Sequence, residues 1–321
     1  AGWIQILSKI FSCRILPLPV TIFPDTWTQV DDNASAVNLA ALPVAFNFKA
    51  MFISEVVVEY LPLFTAGIPF GGGKAVIFKQ KVKSKNLLKS FAAFLNCLNG
   101  TYISAEDIGI TLEDIIFIRE HSEHVFDNVD PGPFTAKGLF YSIEQAIQIY
   151  FSENLLGKRI AIQGAGSVGK RLAEYLASSG AHVFISDIDR SKLSDIDNHN
   201  ITCVDDAFSV ECDLFSPCAV GAIFTKDSIS NLKCKIIAGG ANNQLLDASI
   251  AEDLFKKGIV YIPDTLINSG GVIGLTKDYL KRDDAEIEQA LRDIANRVRD
   301  LMIESQESSI SIYQALKNRS L

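Results

Sequence analysis

The sequence predicts an α/β chain of two domains, the second built on a doubly wound, mostly parallel sheet. Its 321 residues exceed the size at which a single core stops growing, about 250–300 residues. From Arg159 to Ile262 short apolar runs alternate with helical patterns, as successive β-α units do. Between one such run and a helix, Gly164-Ala165-Gly166-Ser167-Val168-Gly169 spells G-x-G-x-x-G.

Taken in order, Ala1 to Val20 is apolar but broken by Lys9, Arg14 and prolines and has no positive leading segment, so it is not read as a signal peptide. Asn38, Asn47, Lys49, Glu55 and Glu59 interrupt the apolar stretch that follows, leaving no run near the roughly 18 residues a spanning helix needs. Strands are expected at Ala75 to Phe78 and Tyr102 to Ser104. Helices are expected at Asn86 to Leu98, with Leu88, Phe91, Phe94, Leu95 and Leu98 on one side, and at Leu112 to His121. A Pro/Gly-bearing linker, Phe126 to Phe134, leads to a long amphipathic helix from Thr135 to Phe151. Next come a strand at Ile160 to Ile162, a helix from Lys170 to Ser178 closed by Gly180, and a strand from His182 to Ser186. Strands at Asp213 to Phe215, Lys235 to Ala238 and Ile259 to Ile262 follow, with a helix at Ala248 to Lys257 before the last. The final helix, Asp284 to Ser305, is expected to return toward the first domain. This places a first domain at 1–133, a second domain with the doubly wound sheet at 134–284, and residues 285–321 packed back on the first, around a cleft.

A formal charge of −8 carries no basic footprint, which argues against nucleic acid as a partner. The six cysteines form no C-x-x-C pair and read as reduced, buried apolar residues of a cytoplasmic protein. His121 and His124 share a charged helix face with no further ligands nearby, so no metal site is read there.

The glycine motif carries the first chemistry. Gly164 allows the tight turn, Gly166 lets a pyrophosphate approach the backbone, and Gly169 lets helix and strand pack closely. The helix start beyond Ser167 and Val168, which the motif also places at the cofactor, offers N–H groups and a positive dipole end to phosphate. Asp187, at the C-terminal end of the next strand, suits a ribose 2′-OH and favours NAD, while Arg190 and Lys192 leave NADP open. Two stretches outside this unit stand out. In GIPFGGGKAVIF, from Gly67 to Phe78, consecutive glycines deliver Lys74 to a strand, where lost hydration would lower its pKa. In TYISAEDIGIT, Asp107 lies between a strand and a helix, where a helix-start acid is the plain reading.

Together these pieces resemble the glutamate/leucine/phenylalanine/valine dehydrogenase family, closest to its leucine-dehydrogenase-like branch, over about residues 65–275. The resemblance is carried by GIPFGGGKAVI, GTYISAEDIG, PGPFTAKG, QGAGSVG, VECDLFSPCAVGAI, IIAGGANNQL and YIPDTLINSGGVIGL, in the family's order. It implies a Rossmann-type NAD domain, a cytoplasmic homo-oligomer, and oxidative deamination of a branched-chain L-amino acid to its 2-oxo acid and ammonia, with no membrane partner. It implies Lys74 as the catalytic lysine and Asp107 as the catalytic aspartate. Asn242 and Asn243 fall in the segment that meets the nicotinamide ribose and substrate amine, Cys218 and Ala219 in a cofactor-lining segment, and Thr135 beside the nicotinamide amide. Gly72, Gly73, Ala105, Val272 and Leu275 fall at the substrate pocket, and its apolar side chains favour leucine, valine or isoleucine over glutamate. A plain core role for those apolar residues stays open.

The match stops upstream of Thr65. The family's carboxylate-anchoring lysine corresponds here to Pro62, which cannot bind a carboxylate, and Gln80-Lys81 replaces a common Asp-Pro. Two alternatives therefore stand beside the leading reading: a remnant that binds NAD without turnover, and a glutamate dehydrogenase. The abrupt break also fits a shifted reading frame in the gene. Translating its other frames is then expected to yield a lysine-bearing segment like the family's, and finding none removes that explanation.

Overall fold

The computed structural model describes residues 4–6, 53–58, 68, 73–77, 83–100, 102–106, 109–126 and 130–319, the first three strands as backbone alone. The chain divides into two compact units, one of residues 1–60 with 69–128 and the other of 61–68 with 129–321.

In the first unit β3 (Gly73–Ile77) pairs antiparallel with β1 (Ile4–Ile6) and β2 (Ile53–Val58). Helix α1 (Lys85–Cys97) starts where the Ser84 side chain accepts from the Leu87 N–H, at 3.2 Å, and buries Leu87, Leu88, Phe91 and Leu95. Helix α2 (Leu112–Arg119) starts on a capping box between Thr111 and Asp114 and adds Ile115 and Ile118 to the same core. Tyr102 to Ser104, expected as a strand, instead contributes a single parallel bridge between Ser104 and Val125.

The second unit is a parallel sheet sandwiched between helices. In chain order the strands are β4 (Arg159–Gln163), β5 (His182–Ser186), β6 (Ile201–Cys203), β7 (Leu214–Pro217), β8 (Ile236–Ile237) and β9 (Val260–Tyr261). Their spatial order is β6-β5-β4-β7-β8-β9, so the winding reverses between β4 and β7. Alternate residues feed two cores, as a strand buried on both faces requires. Ile160, Ile162, Leu214 and Ile236 face α3 (Gly132–Phe151), α4 (Ser167–Ser178), α8 (Asp284–Ser308) and α9 (Ile312–Arg319). Ala161, Phe215, Ile237 and Tyr261 face α5 (Ser249–Lys256). Between α5 and α8 run the short helices α6 (Asp264–Ile267) and α7 (Gly270–Leu275).

Helix α3 begins earlier than the sequence pattern implies, because Pro131 and Pro133 sit at its start, where a missing N–H costs nothing. It lies against α8, which a capping box from Asp283 to Glu286 opens. Glycine at 138 brings the two helices close: a Cβ there would lie 3.2 Å from Ile294 Cδ1. Beside that contact Glu288 accepts from the Tyr141 hydroxyl and pairs with Lys137 at 2.5 Å and Arg292 at 3.0 Å. Cys212 and Cys234 are buried, but Cys97 and Cys203 are exposed, against the expectation for all cysteines, and Cys13 lies outside the described residues. Among the described residues no helix is long and apolar enough to cross a membrane, and no cluster of three or more His, Cys, Asp or Glu could hold a metal ion.

Ile294 is fully buried in this helix pair. Replacing it with alanine is expected to lower stability by about 2–5 kcal/mol, the usual range for truncating a packed isoleucine. Denaturant midpoints of the two proteins measure this, and a loss below about 1 kcal/mol would place the α3–α8 contact outside the cooperative core.

Candidate functional site

The predicted nucleotide residues converge at the C-terminal edge of the six-stranded sheet. β4 ends in Gly164, whose φ of +104° few other residues adopt, and whose N–H donates to the Ser186 carbonyl at 2.7 Å. A Cβ on Gly164 would lie 2.9 Å from Ala219 Cβ and from the Cys218 carbonyl carbon, so the loop after β7 closes directly on the turn. Cys218 is fixed there by its N–H, which donates to the Gln163 carbonyl at 2.7 Å. Burial pushes the Cys218 thiol up, so it lines the site as a neutral group. At Gly169 a Cβ would lie 1.9 Å from the Gly164 carbonyl oxygen, whereas at Gly166 it would meet nothing within 4 Å. Packing thus explains the last glycine, and open space above the turn explains the middle one.

No side chain caps the start of α4. Its first-turn N–H groups therefore remain available, a suitable seat for phosphate. Ser167 there accepts from Arg171 Nη1 through both its hydroxyl, at 2.6 Å, and its carbonyl, at 2.8 Å, and Arg171 also pairs with Asp130 at 3.3 Å.

Asp187 ends β5, as expected, but with its side chain only 7% exposed. One carboxylate oxygen accepts from the Ala165 N–H inside the glycine turn, at 2.8 Å, and the other from the Asp189 N–H at 2.9 Å. Lys192 Nζ stands 3.4 Å from both oxygens. Burial works to raise the Asp187 pKa, and these N–H groups with the Lys192 ammonium outweigh it, holding the carboxyl below its ordinary range. The ionised form therefore adds stability that is present above the unfolded value of about 3.9 and lost as pH falls through the lower folded one.

Thr135, buried on α3, donates to the Pro131 carbonyl at 3.0 Å. It lies between Gly271, whose Cβ would come within 2.8 Å of its hydroxyl, and Gly240, whose Cβ would lie 3.8 Å from its Cγ2. Asn242 and Asn243 follow β8. The Asn242 side-chain oxygen accepts from Asn268 at 2.5 Å, and Asn243, at φ +51°, donates its N–H to Asp264 at 2.8 Å. Val272 and Leu275 are buried on α7, and Ala105 is buried in the first unit. Lys74 and Gly73 lie on β3, opposite Val57 and Val58. Asp107, Gly72 and Pro62 lie outside the described residues.

Several residues of this edge were not picked out by their sequence setting. Asp264 and Asn268 hold the asparagine pair, and nothing local marks them as its partners. Ile188, fully exposed beside Asp187, and Val220, 72% exposed after Ala219, give the rim apolar surface against which a base could lie. A free helix start, a glycine with space above it, a carboxylate at the next strand end and apolar rim residues together fit a dinucleotide.

Comparison with known proteins agrees. Residues 185–317 match the glutamate/leucine/phenylalanine/valine dehydrogenase family model. Leucine dehydrogenase of Bacillus subtilis (strain 168) is 34% identical over 263 residues, covering 78% of this chain and 72% of that one. Phenylalanine dehydrogenase of Lysinibacillus sphaericus is 38% identical over 259 residues, 72% and 68% of the two chains. The crystal structure of L-tryptophan dehydrogenase from Nostoc punctiforme superposes with a TM-score of 0.70 at 32% identity, covering 80% of this chain and 78% of that one.

Replacing Asp187 with alanine is expected to weaken NADH binding by about 10- to 100-fold, the value of roughly 1.5–3 kcal/mol for a hydrogen bond to a charged group, and to weaken NADPH much less. Fluorescence titrations with both cofactors provide the measurement. Equal losses would show that the carboxylate serves the turn alone and not the ribose.

Proposed function

The chain belongs to the glutamate/leucine/phenylalanine/valine dehydrogenase family, and from that premise we propose that it is an NAD-dependent amino-acid dehydrogenase. Its reaction is the oxidative deamination of a branched-chain L-amino acid to the 2-oxo acid and ammonia. The observation that carries this reading is the crevice at the reversal between β4 and β7, where the glycine turn, the start of α4 and Asp187 share one edge.

NAD, when bound, supplies the hydride acceptor. The N–H groups at the start of α4 hold its pyrophosphate and Asp187 its ribose hydroxyl, while Cys218, Ala219 and Thr135 line the path toward the nicotinamide. Asn242 and Asn243 meet the nicotinamide ribose and the substrate amine, the Asn243 backbone N–H held by Asp264 and the Asn242 side chain by Asn268. Lys74 takes the proton of the water that attacks the substrate imine, and Asp107 carries the amine protons. The cofactor falls to residues 134–284 and the substrate to residues 1–133, in a cytoplasmic homo-oligomer, while residues 285–321 pack on the second unit and not back on the first.

Apolar Ala105, Val272 and Leu275 offer no cation to a γ-carboxylate, which supports leucine, valine or isoleucine over glutamate. Leu275 is bulky for such a pocket and favours the smaller branched side chains. A second reading, binding of NAD without turnover, is favoured by one residue: Pro62, where the family places a carboxylate-anchoring lysine. Losing that anchor costs about 1.5–3 kcal/mol in binding and more in turnover, because the substrate Cα is then poorly held for hydride transfer.

NADH formation is to be followed at alkaline pH with L-leucine, L-valine and L-glutamate. The chain as it stands is expected to bind NADH yet oxidise them weakly, and a family-like segment in place of Ala1 to Phe64 is expected to restore turnover of leucine or valine. A kcat/KM for leucine at or above about 10⁴ M⁻¹s⁻¹ without that replacement removes Pro62 from the anchor position. Glutamate as the preferred substrate overturns the pocket reading, and no turnover even with the segment restored leaves the binding-only reading.

A further inference from the structure

At the opposite edge of the second unit's sheet, the residues leading into β4, β7, β8 and β9 surround a cavity of about 590 Å³. Its apolar surface comes from Phe151, Ile229, Leu232 and Ile259, and its cations are Arg159, Lys233, Lys235 and Lys257. They outnumber the carboxylates of Glu211 and Asp213, although the whole chain carries −8. Asp213 is already committed, accepting from the Arg159 backbone N–H at 2.8 Å. The Arg159 guanidinium donates to the Glu211 carbonyl at 3.0 Å and lies over the Phe184 ring at 4.5 Å. Among the described residues Lys233, Lys235 and Lys257 make no ion pair, and all three are exposed. Like charges gathered around apolar surface repel one another, and a bound anion would relieve that repulsion.

Cys212 and Cys234 also line the cavity. They precede Leu214 and Ile236, which are partners in the parallel pair, by the same step, and the Cys212 N–H donates to the Lys233 carbonyl at 3.0 Å. Burial pushes both thiols up to about 12, so at neutral pH they add uncharged, polarisable wall and not nucleophiles. The glycine turn and Asp187 lie at the other ends of these strands, so the nucleotide crevice does not account for this cavity.

We propose that the cavity is a second ligand site for a small amphipathic organic anion, with the apolar body against Phe151, Ile229, Leu232 and Ile259 and the acidic head among Lys233, Lys235 and Lys257. The site draws on no residue assigned to the dehydrogenase reaction and stands independently of it.

The full chain is to be titrated with 1-anilinonaphthalene-8-sulfonate, with and without excess NADH, while the slow alkylation of Cys212 and Cys234 at alkaline pH is followed by mass spectrometry. Saturable binding that NADH leaves unchanged is expected, with both thiols alkylated several-fold more slowly in the presence of the dye. Lys233→Glu combined with Lys257→Glu should weaken the dye about tenfold or more, from two reversed charges at partly screened positions. NADH affinity unchanged in that variant shows that the fold is intact. Displacement of the dye by NADH, thiols alkylated at the same rate with and without dye, or a variant within about twofold of the parent each overturns the proposal. Failure of NADH itself to bind would instead remove the dinucleotide reading and leave the thiol and lysine results to decide this one.

Discussion

Backbone packed against backbone at the reversal of strand order is the contact on which the candidate site depends. The Gly164 turn, the Gly169 turn of α4 and the loop at Cys218 and Ala219 approach so closely that side chains at either glycine would overlap main-chain atoms. Hydrophobic burial supplies most of the energy of the unit, from the two cores on either face of the sheet. That burial does not choose this geometry by itself; the two missing Cβ atoms let the helix start aim its N–H groups into the crevice. Gly166 between them has the opposite explanation, since the space above it is open.

From this contact the rest of the edge is assembled by short polar links between distant segments. Asp187 reaches back to Ala165, Cys218 to Gln163, Asn243 to Asp264 and Asn242 to Asn268. Each joins residues at the ends of different strands or helices, so the edge is set by the relative position of β4, β5, β7 and β8. That position depends in turn on α3, whose Gly138 admits Ile294 of α8 and whose Thr135 is wedged between the Gly240 and Gly271 segments.

Much of this was legible in the residues themselves, and the failures have physical causes. The β4-α4-β5 unit was read to within a few residues because apolar period, glycine turn and terminal acid all specify the same geometry there. Tyr102 to Ser104 has the composition of a strand, but its burial comes from α1 and α2 and it needs only one bridge to Val125. The short β6 was passed over because Ile201 to Cys203 follows a polar stretch and stays half-exposed or exposed at the sheet edge. Pro131 and Pro133 looked like breakers and are instead helix starters, a distinction that depends on where the first turn begins. Ile188 and Asp264 could not be found locally, since exposure and long-range partnership are properties of the folded edge. The roles given to Lys74 and Asp107 rest on resemblance to a family, and their sequence setting alone gives weaker readings.

Asp187 has a consequence for anyone wishing to redirect the cofactor preference of such a protein. One oxygen of its carboxylate accepts from the Ala165 N–H and the other from the Asp189 N–H, so the group we propose for the ribose also braces the glycine turn. Changing the residue to suit a phosphorylated ribose would therefore also unpin the glycine turn and strand a main-chain donor at a residue only 2% exposed. On the proposed role, selectivity and rigidity are coupled through one side chain. A redesign on that reading has to bring in a second acceptor for that donor along with the new cation.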